Sequence, residues 1–337
     1  MINDPFILIA RQRTGQRSFS LSRSQYMSFL KHTFFISTGY ISSKLLILSF
    51  LILLILTSCN TLSPASSVSG KAIVFASVEA VEPVWLPYAQ GIGFFHGKAA
   101  SPGIEFYALK IDLASPDTRV IVKSGKMSDN GIALSAKVTS FTRDNNLLAG
   151  INAVPFDIVS SKEGKPIQNM GIVISDGEIL APVNPRYDAL VFYKNNNPRA
   201  AIVSQADIHV TENIENAAGG FYQILADAQL TQRTLISEAR HPRSGAGISP
   251  NGEYLYLLVI DGRRRGSIGA TEMETALLLR SLGCRDAVNF DGGGSSALAL
   301  RRPDGSVKTV NIPIHGGIAG RERAVAGCLG ISISTEK

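Results

Sequence analysis

Short apolar segments separated by turn residues constrain the fold of this chain more strongly than any other feature of its sequence. The segments are rich in β-branched residues, and Gly, Pro, Asn and Asp lie between them. Such a pattern predicts β-strands joined by turns. The segments are Phe106–Leu113, Ala189–Tyr193, Ala201–Val203, Tyr254–Ile260, Ala287–Phe290, Ala297–Leu300 and Leu329–Ile333. Because Asp176-Gly177 also separates two apolar runs, we expect a two-residue hairpin of type I′ character at that point.

Helical patterns are few. Ser128–Thr139 is a modest candidate, and Thr271–Leu282 is a clear one. Thr271 and Glu274 have the spacing of a capping box, and Gly283 follows the last turn. The clear helix lies between two predicted strands, which should therefore run parallel to each other. We predict an α+β fold of mixed, largely antiparallel twisted sheets, with a few helices and with active-site loops at strand ends.

The first 58 residues have the features of an export signal. Leu45–Leu56 is apolar apart from Ser49, and it is too short for a bilayer core that needs about 20 apolar residues. The next residues, Thr57-Ser58-Cys59, complete a segment that resembles a bacterial lipobox, in which the cysteine is lipidated. The alternative is a plain signal peptide or a short anchor with an incidental cysteine. We expect an exported protein, lipid-anchored through Cys59 to a bacterial membrane at the cell envelope.

The remaining chain is interpreted as one domain. Residues 1–58 form the signal region, in which Met27 begins a more ordinary signal sequence and is the suspected true start. Residues 59–72 are a Ser-rich tether, and residues 73–335 contain neither a repeat nor a Pro/Gly linker. Cys284 and Cys328 are interpreted as two separate buried thiols, with a disulfide between them as the alternative. The sequence carries no signal for an oligomeric state.

The charge distribution argues against a nucleic-acid partner. The formal net charge is +6, from 33 Lys and Arg against 27 Asp and Glu. Six of those basic residues and one acidic residue lie within residues 1–58, so 27 basic and 26 acidic residues remain for the rest. A nearly neutral domain lacks the basic surface that a phosphate backbone requires.

Polar residues with chemical potential gather where predicted strands end. They form five groups: Gly150–Asp157, His241–Ile248, Asp261–Arg265, Asn289–Ser296 and Arg321–Val325. In the fourth group, three successive glycines allow close approach of a ligand to the backbone, and their N–H groups favour anions. The alternative for this group is a glycine-rich hairpin with an Asx turn. It fits neither a Walker A loop nor a G-x-S-x-G nucleophile elbow.

Three loop arginines are candidates for a phosphate clamp. Arg243, Arg263 and Arg323 each flank a predicted strand, and a guanidinium binds phosphate oxygens in pairs. Arg264 and Arg265 are interpreted as solvated or paired structural residues. The histidines of these loops, His241 and His315, have no spacing that supports a zinc site.

Taken together, these segments resemble the phosphodiester glycosidase family in both order and spacing. The resemblance runs over roughly residues 75–333. The matching segments are Asn152–Phe156, Arg243–Gly247, Asp261–Arg263, Gly269–Ala276, Asn289–Ser296 and the pair Arg323 and Val325. Two positions depart from the family pattern. Val154-Pro155 replaces the usual Gly followed by Phe or Tyr, which predicts a reshaped wall of the substrate pocket. Ala326-Gly327 replaces Asn-Ala before the C-terminal strand, so the polar group that the asparagine would supply is missing.

The resemblance implies hydrolysis of the glycosidic bond in a sugar-1-phosphodiester of an envelope or extracellular glycan. A phosphate leaving group needs its charge neutralised more than it needs a proton. The residues expected to bind the phosphate group or the adjoining part of the substrate are Arg243, Arg263, Arg323, Gly292, Gly293, Gly294 and Ser295. Asn152 and Asn289 are expected to hold sugar hydroxyls. Asp291 is the expected nucleophile or base, with Glu274 or Asp261 as its carboxyl partner.

Two other function classes compete with this interpretation. One is a serine esterase or phosphodiesterase that uses Ser295, and the other is a non-catalytic glycan-binding lipoprotein. No cofactor and no metal site are predicted. A divalent cation shared by Asp261 and Asp291 is the alternative.

Overall fold

The main sheet of the protein has eight strands and packs against two five-stranded sheets. The computed structural model describes residues 81–99, 103–123, 126, 130–196, 199–209, 211–236 and 239–334. All of these belong to one compact unit, Ser66–Lys337. The expected signal region, Cys59 and the tether lie outside the described residues. No helix in the described ranges is long and apolar enough to span a bilayer.

Every strand pairing within these sheets is antiparallel in the described chain. The strands of the large sheet are β1 (Leu86–Ala89), β2 (Ile92–Ala99), β3 (Ile104–Asp112), β13 (Tyr222–Ala226), β14 (Gln229–Leu230), β15 (Arg243–Ile248), β16 (Tyr254–Ile260) and β17 (Asp286–Asn289). Their order across the sheet is β1-β2-β3-β16-β15-β17-β13-β14.

The two smaller sheets have the orders β11-β10-β12-β8-β9 and β19-β18-β6-β22-β4. The first contains β8 (Val173–Ser175), β9 (Glu178–Ala181), β10 (Asp188–Tyr193), β11 (Ala200–Ser204) and β12 (Ile214–Gly219). The second contains β4 (Thr118–Lys123), β6 (Ala149–Asn152), β18 (Leu298–Arg301), β19 (Val307–Thr309) and β22 (Cys328–Ile333). Two small antiparallel pairs are β5 (Ile132–Leu134) with β7 (Pro166–Gln168) and β20 (Ile314–His315) with β21 (Ile318–Ala319).

Helices cover the outer faces of these sheets. The two α-helices of the described chain are α1 (Val138–Asp144) and α2 (Glu272–Leu282), and short 3-10 turns occupy Gln205–Asp207, Gln232–Leu235 and Gly293–Ser295. The main core lies between the large sheet and the two smaller ones, with residues from all three. The leucines of α2 pack on the opposite face of the large sheet. Burial of apolar side chains on both faces therefore fixes the large sheet in the middle of the fold.

The predicted α+β fold of largely antiparallel sheets is confirmed. Asp176 and Gly177 have φ of 51° and 83°, as a type I′ hairpin between β8 and β9 requires. Thr271 and Glu274 form the predicted capping box, and Gly283 ends α2 with φ of 112°. The strands on either side of α2, β16 and β17, run parallel because each pairs antiparallel with β15 between them.

One helix prediction is wrong. Within Ser128–Thr139 the described chain instead forms β5, and α1 begins only at Val138. Pairing of β5 with β7 satisfies the backbone and buries Ala133, so a tertiary contact outweighs a weak local pattern. Cys284 and Cys328 are free and buried in different clusters, as the favoured interpretation expected.

Candidate active site

The predicted polar loops meet at one end of the central strands. In β15 and β16, Arg243 lies opposite Ile260, so the start of one strand adjoins the end of the other. In β15 and β17, Gly245 lies opposite Asn289, which brings the end of β17 to the same edge. The loops before β15, after β16 and after β17 are therefore neighbours, although they are distant along the chain.

Asn152, at the end of β6, joins this edge to the smaller sheet. Its side-chain nitrogen donates to the Asp291 carbonyl at 2.6 Å. Its side-chain oxygen accepts from the Ser244 hydroxyl at 2.7 Å and from the Ala297 N–H at 3.1 Å. The Asp291 N–H in turn donates to the Ala153 carbonyl at 2.9 Å. Because Asn152 is fully buried, its amide positions the loop that carries Asp291 rather than facing solvent.

The triglycine turn allows two guanidinium groups to approach the backbone. A Cβ on Gly293 would lie 3.1 Å from Nη2 of Arg263, and a Cβ on Gly294 would lie 2.5 Å from Nη2 of Arg323. The Gly293 N–H donates to the Pro242 carbonyl at 2.8 Å, so this amide is not available to a ligand. Gly293 also has φ of 62°, where a side chain is disfavoured. The structure therefore brings Arg263 and Arg323 together on successive glycines.

Arg263 is held in an unusual backbone conformation. Its φ is 55°, a region that L-residues adopt rarely and at some energetic cost. The Gly262 before it packs so closely that a Cβ there would lie 2.7 Å from the Pro242 nitrogen. The side chain of Arg263 is exposed, and Nη2 donates to Nδ1 of His241 at 3.2 Å. Loop packing thus holds a solvent-facing guanidinium at the turn.

Asp291 lies next to Arg323, one of these two arginines. Burial raises the pKa of its carboxyl from 3.8 to about 6, against the lowering effects of a hydrogen bond from Ser295 and the charge of Arg323. Burial also lowers the pKa of Arg323, and the Asp291 charge opposes that effect. A carboxylate that ionises near neutrality beside a cation is typical of a catalytic group.

Ser295 is almost fully buried beneath the arginine. Its hydroxyl accepts from Nη1 of Arg323 at 3.1 Å and hydrogen-bonds to Asp291. Among the described residues no histidine hydrogen-bonds to Ser295. A nucleophilic serine needs a base within hydrogen-bond reach, so this environment suits a residue that orients Asp291 and Arg323.

Arg243, the third predicted clamp arginine, is occupied within the protein. Its Nε donates to the Ala270 carbonyl at 3.0 Å, and its Nη2 donates to the Ala239 carbonyl at 2.9 Å. Its Nη1 lies 3.4 Å from Oε1 of Glu272, and only 8% of the side chain is exposed. The side chain of Arg243 passes close to Gly292, but its guanidinium binds protein groups and does not join those of Arg263 and Arg323.

Glu274 is buried at the start of α2. None of its side chain is exposed, and Arg240 binds both carboxylate oxygens at 2.5 Å and 2.8 Å. The Thr271 N–H also donates to Oε2 at 2.9 Å, which completes the capping box. The structure thus does not bring Glu274 to the surface where a substrate would bind.

Asp261 is equally enclosed. Its carboxylate accepts from Nη2 of Arg264 at 2.7 Å, from Nδ2 of Asn311 at 3.2 Å and from the Ile312 N–H at 3.0 Å. Burial raises the pKa of Asp261, and the hydrogen bond from Arg264 opposes this. Arg264 also contacts Glu105 and so bridges two carboxylates, as its interpretation as a solvated or paired structural residue expected. Asp261 therefore anchors the Asp261–Arg265 loop from inside.

Two buried polar side chains near the site lack hydrogen-bond partners. Oδ1 of Asn289 and Oγ of Ser296 have none among the described residues. Asn289 is only 3% exposed, so its amide lies below the site surface. No group of three or more His, Cys, Asp or Glu residues suited to a metal ion occurs in the described part of the chain.

The two departures from the family pattern contact each other. Val154 is fully buried, and a Cβ on Gly327 would lie 2.6 Å from its Cγ2. Both the Ala153 and Val154 N–H groups donate to the Gly327 carbonyl, at 3.0 Å and 3.3 Å. A valine at position 154 therefore fits because position 327 has no side chain. Val154 lies in the interior, so this change affects packing beneath the site.

Sequence reasoning missed the contacts that hold the arginines. His241 accepts from Arg263, and Nδ1 of His315 accepts from Nε of Arg323 at 3.2 Å. Their positions within predicted loops gave no signal of this pairing. Arg240, three residues before Arg243, was likewise not singled out, although it is the ion-pair partner of Glu274.

The sequence profile described as phosphodiester glycosidase matches residues 145–332, more than half of the chain. Among curated proteins, the SPbeta prophage-derived uncharacterized protein YomE of Bacillus subtilis is 29% identical over 173 residues. That match covers 48% of this chain and 25% of the relative, so the chain spans only a quarter of the relative's length.

Solved structures with a similar fold come from three distant organisms. A hypothetical protein from Synechocystis has a TM-score of 0.57 at 15% identity, covering 76% of this chain and 64% of its own. The catalytic domain of zebrafish N-acetylglucosamine-1-phosphodiester α-N-acetylglucosaminidase, auto-inhibited by its pro-peptide, has a TM-score of 0.55 at 19% identity, covering 75% and 87%. A putative exported protein from Burkholderia pseudomallei has a TM-score of 0.50 at 16% identity, covering 68% and 74%. At these identities the similarity concerns the fold.

Proposed function

We propose, because this chain belongs to the phosphodiester glycosidase family, that it hydrolyses the glycosidic bond of a sugar-1-phosphodiester. The observation that supports the proposal is the position of two guanidinium groups, those of Arg263 and Arg323, against successive glycines of the turn. The carboxyl of Asp291, with a pKa of about 6, lies beside Arg323. Two cations suit a phosphodiester group, and a nearby carboxylate suits the electron-poor carbon to which it is attached.

Charge neutralisation is the main task in this reaction. The departing phosphate monoester is a weak base, so it leaves without protonation once its negative charge is stabilised. Arg263 and Arg323 supply that stabilisation at the non-bridging oxygens, in positions set by the turn before substrate arrives. Burial lowers the pKa of Arg323, and the charge of Arg263 lowers it further, so an anion between the two arginines relieves repulsion.

A single carboxylate is sufficient when the leaving group needs no acid. Asp291 acts on the anomeric carbon, either directly as nucleophile or as base toward water, as the oxocarbenium-like charge develops. The hydrogen bond from Ser295 and the charge of Arg323 favour its ionised form. The configuration of the released sugar separates the two roles, because a covalent intermediate gives retention and direct attack by water gives inversion.

The enclosed carboxylates act as positioning residues in this scheme. Asp261 and Arg264 hold the loop that presents Arg263. Glu274 holds Arg240 and caps α2. Asn152 fixes the Asp291 backbone. These roles replace direct substrate contact, because the atoms concerned already bind protein groups.

The substrate class follows from the expected export of the protein. We assign the phosphodiester to a cell-envelope or extracellular glycan, reached by a protein lipid-anchored through Cys59. The sugar of the zebrafish relative, N-acetylglucosamine, is the first to test.

The test is a product screen with purified residues 60–337. A panel of sugar-1-phosphodiesters that differ in sugar and in acceptor is incubated with the protein, and free reducing sugar is measured. We expect sugar release from at least one member, with the phosphate retained on the acceptor. Release of an alcohol with phosphate left on the sugar would instead indicate a phosphodiesterase. Saturable binding without any product would indicate a glycan-binding protein.

A further inference from the structure

Two histidines contact the two arginines of the turn in the same way. Nη2 of Arg263 lies 3.2 Å from Nδ1 of His241, and Nε of Arg323 lies 3.2 Å from Nδ1 of His315. A guanidinium has donors only, so Nδ1 must be the acceptor in both contacts. A neutral imidazole that accepts through Nδ1 carries its proton on Nε2. The hydrogen bonds therefore assign the same tautomer to both rings.

The second nitrogen of each ring is unused. Neither Nε2 atom has a hydrogen-bond partner among the described residues, and both side chains are partly exposed. His315 lies in β20, which packs against the Gly293–Ser295 turn. His241 adjoins Pro242, whose carbonyl accepts the Gly293 N–H. Two N–H donors thus flank the turn on which the guanidinium groups meet.

The neutral imidazoles that hydrogen-bond to Arg263 and Arg323 add no negative charge beside these guanidinium groups. Neither Arg263 nor Arg323 forms a salt bridge with a described carboxylate, in contrast to Arg243 and Arg264. A carboxylate partner would cancel most of the positive potential that an anion meets. An imidazole orients the guanidinium without bringing a negative charge of its own to the contact.

We propose that His241 and His315 bind the substrate directly, each holding a clamp arginine through Nδ1 and donating its Nε2–H to a phosphate oxygen. This inference rests on the proposed sugar-1-phosphodiester function and adds two donors to its phosphate site. The bound group is then a phosphodiester monoanion that receives hydrogen bonds from two guanidiniums and two neutral rings.

The surroundings of both rings favour the neutral form. Burial lowers the pKa of His241 from 6.5, the charges of Arg243 and Arg263 lower it further, and Glu272 opposes them. Burial also lowers the pKa of His315, together with the charges of Arg323 and Arg321. Both rings therefore stay neutral above pH 6.5, and a proton on Nδ1 would break the contact with the arginine.

Paired substitutions separate the two ring nitrogens. Asn places an oxygen near the Nδ1 position, so His241→Asn and His315→Asn keep an acceptor for the arginine and lose the donor. Gln reaches the Nε2 position, so His241→Gln and His315→Gln keep a donor there. The exposed His209→Asn is the matched control. The probe is dimethyl phosphate, whose single negative charge does not change between about pH 5 and about pH 9.

Binding of dimethyl phosphate to the purified protein at about pH 8 is followed by NMR titration. We expect each Asn variant to bind roughly 10- to 100-fold more weakly than wild type, the loss typical of a hydrogen bond to a charged group. Each Gln variant should bind more tightly than the matching Asn variant, because it keeps the donor to the phosphate. Nitrogen NMR of labelled histidine should show the proton on Nε2 of both rings in the free protein.

Several results would overturn the inference. The first is that wild type does not bind the probe. The second is that the Asn variants bind the probe as wild type does while the Gln variants bind it weakly. The third is that NMR finds the ring proton on Nδ1. Because the probe requires no turnover, the inference and the proposed function fail separately. If the probe binds through the histidines but no sugar phosphodiester is hydrolysed, only the proposed function is refuted. If the protein turns over substrate and all four variants bind the probe as wild type does, only the inference about the histidines is refuted.

Discussion

Replacing Asp291 by asparagine should stabilise the protein at alkaline pH while abolishing its activity. Burial raises the pKa of this carboxyl from 3.8 to about 6, so the folded protein holds the proton to a higher pH than the unfolded chain does. The stability due to protonation is fully present below pH 3.8 and is lost as the pH rises through about 6. At about 1.4 kcal/mol per pKa unit, the ionised form costs ~3 kcal/mol at high pH.

Urea unfolding of wild type and Asp291→Asn, followed by fluorescence of the single tryptophan, Trp85, measures this cost. The variant should be more stable by up to about 3 kcal/mol at alkaline pH, with the difference vanishing near pH 4. Asp304→Asn is the control, because hydrogen bonds from Ser306 lower the pKa of that exposed carboxyl. Removing its charge should therefore not increase the free energy of unfolding at alkaline pH. Equal stability of wild type and Asp291→Asn at alkaline pH would refute the raised pKa. In wild type, kcat/KM should rise with pH through about 6, and near-normal activity in the variant would remove Asp291 from the mechanism.

Three further substitutions test the remaining assignments. Arg323→Lys should lower kcat/KM by roughly 100-fold or more, because lysine cannot bind two phosphate oxygens in parallel, whereas the exposed Arg265→Lys should leave steady-state kinetics unchanged. Glu274→Gln should lower the free energy of unfolding by about 2 kcal/mol and keep kcat within a few-fold of wild type. A roughly thousandfold loss of kcat in the folded variant would show that Glu274 is catalytic. Gly327→Ala should destabilise by about 1–3 kcal/mol, and combining it with Val154→Gly in a double-mutant cycle should reveal favourable coupling of about 1 kcal/mol or more. Additive effects of the last pair would show that the two positions adapt independently.

Local chemistry accounts for the elements that could be predicted from the sequence. The Asp176-Gly177 hairpin and the capping box of α2 depend on residues at most three positions apart. All the residues that determine each feature therefore lie within one short stretch of sequence, and the feature can be predicted from that stretch alone. The location of polar loops at strand ends follows from the same turn chemistry. The proximity of Arg263 and Arg323 required the resemblance to a family, because 60 positions of chain, on the order of a whole small domain, lie between them.

Burial of charged groups could not be predicted in this way. Asp261 is enclosed by Asn311, which is 50 residues further along the chain, and Glu274 is paired with Arg240, which is 34 residues before it. A carboxylate in a motif is equally compatible with a catalytic role and with a buried ion pair until its neighbours are known. The sequence therefore predicted correctly that these carboxylates lie near strand and helix ends, but not that protein donors already occupy their oxygens.

The contact between Val154 and Gly327 shows how departures from a family pattern should be interpreted. Considered singly, Val154-Pro155 suggested a changed wall of the substrate pocket, and Ala326-Gly327 suggested the loss of a polar group. In the fold they lie against each other in the interior, where the methyl groups gained at one position occupy the space left by the missing Cβ at the other. Close packing makes either change alone costly, so the pair is best explained by conserved volume. The groups that would meet the phosphate, Arg263 and Arg323 on their glycines, lie outside this contact, and the departures therefore carry no argument for a different reaction.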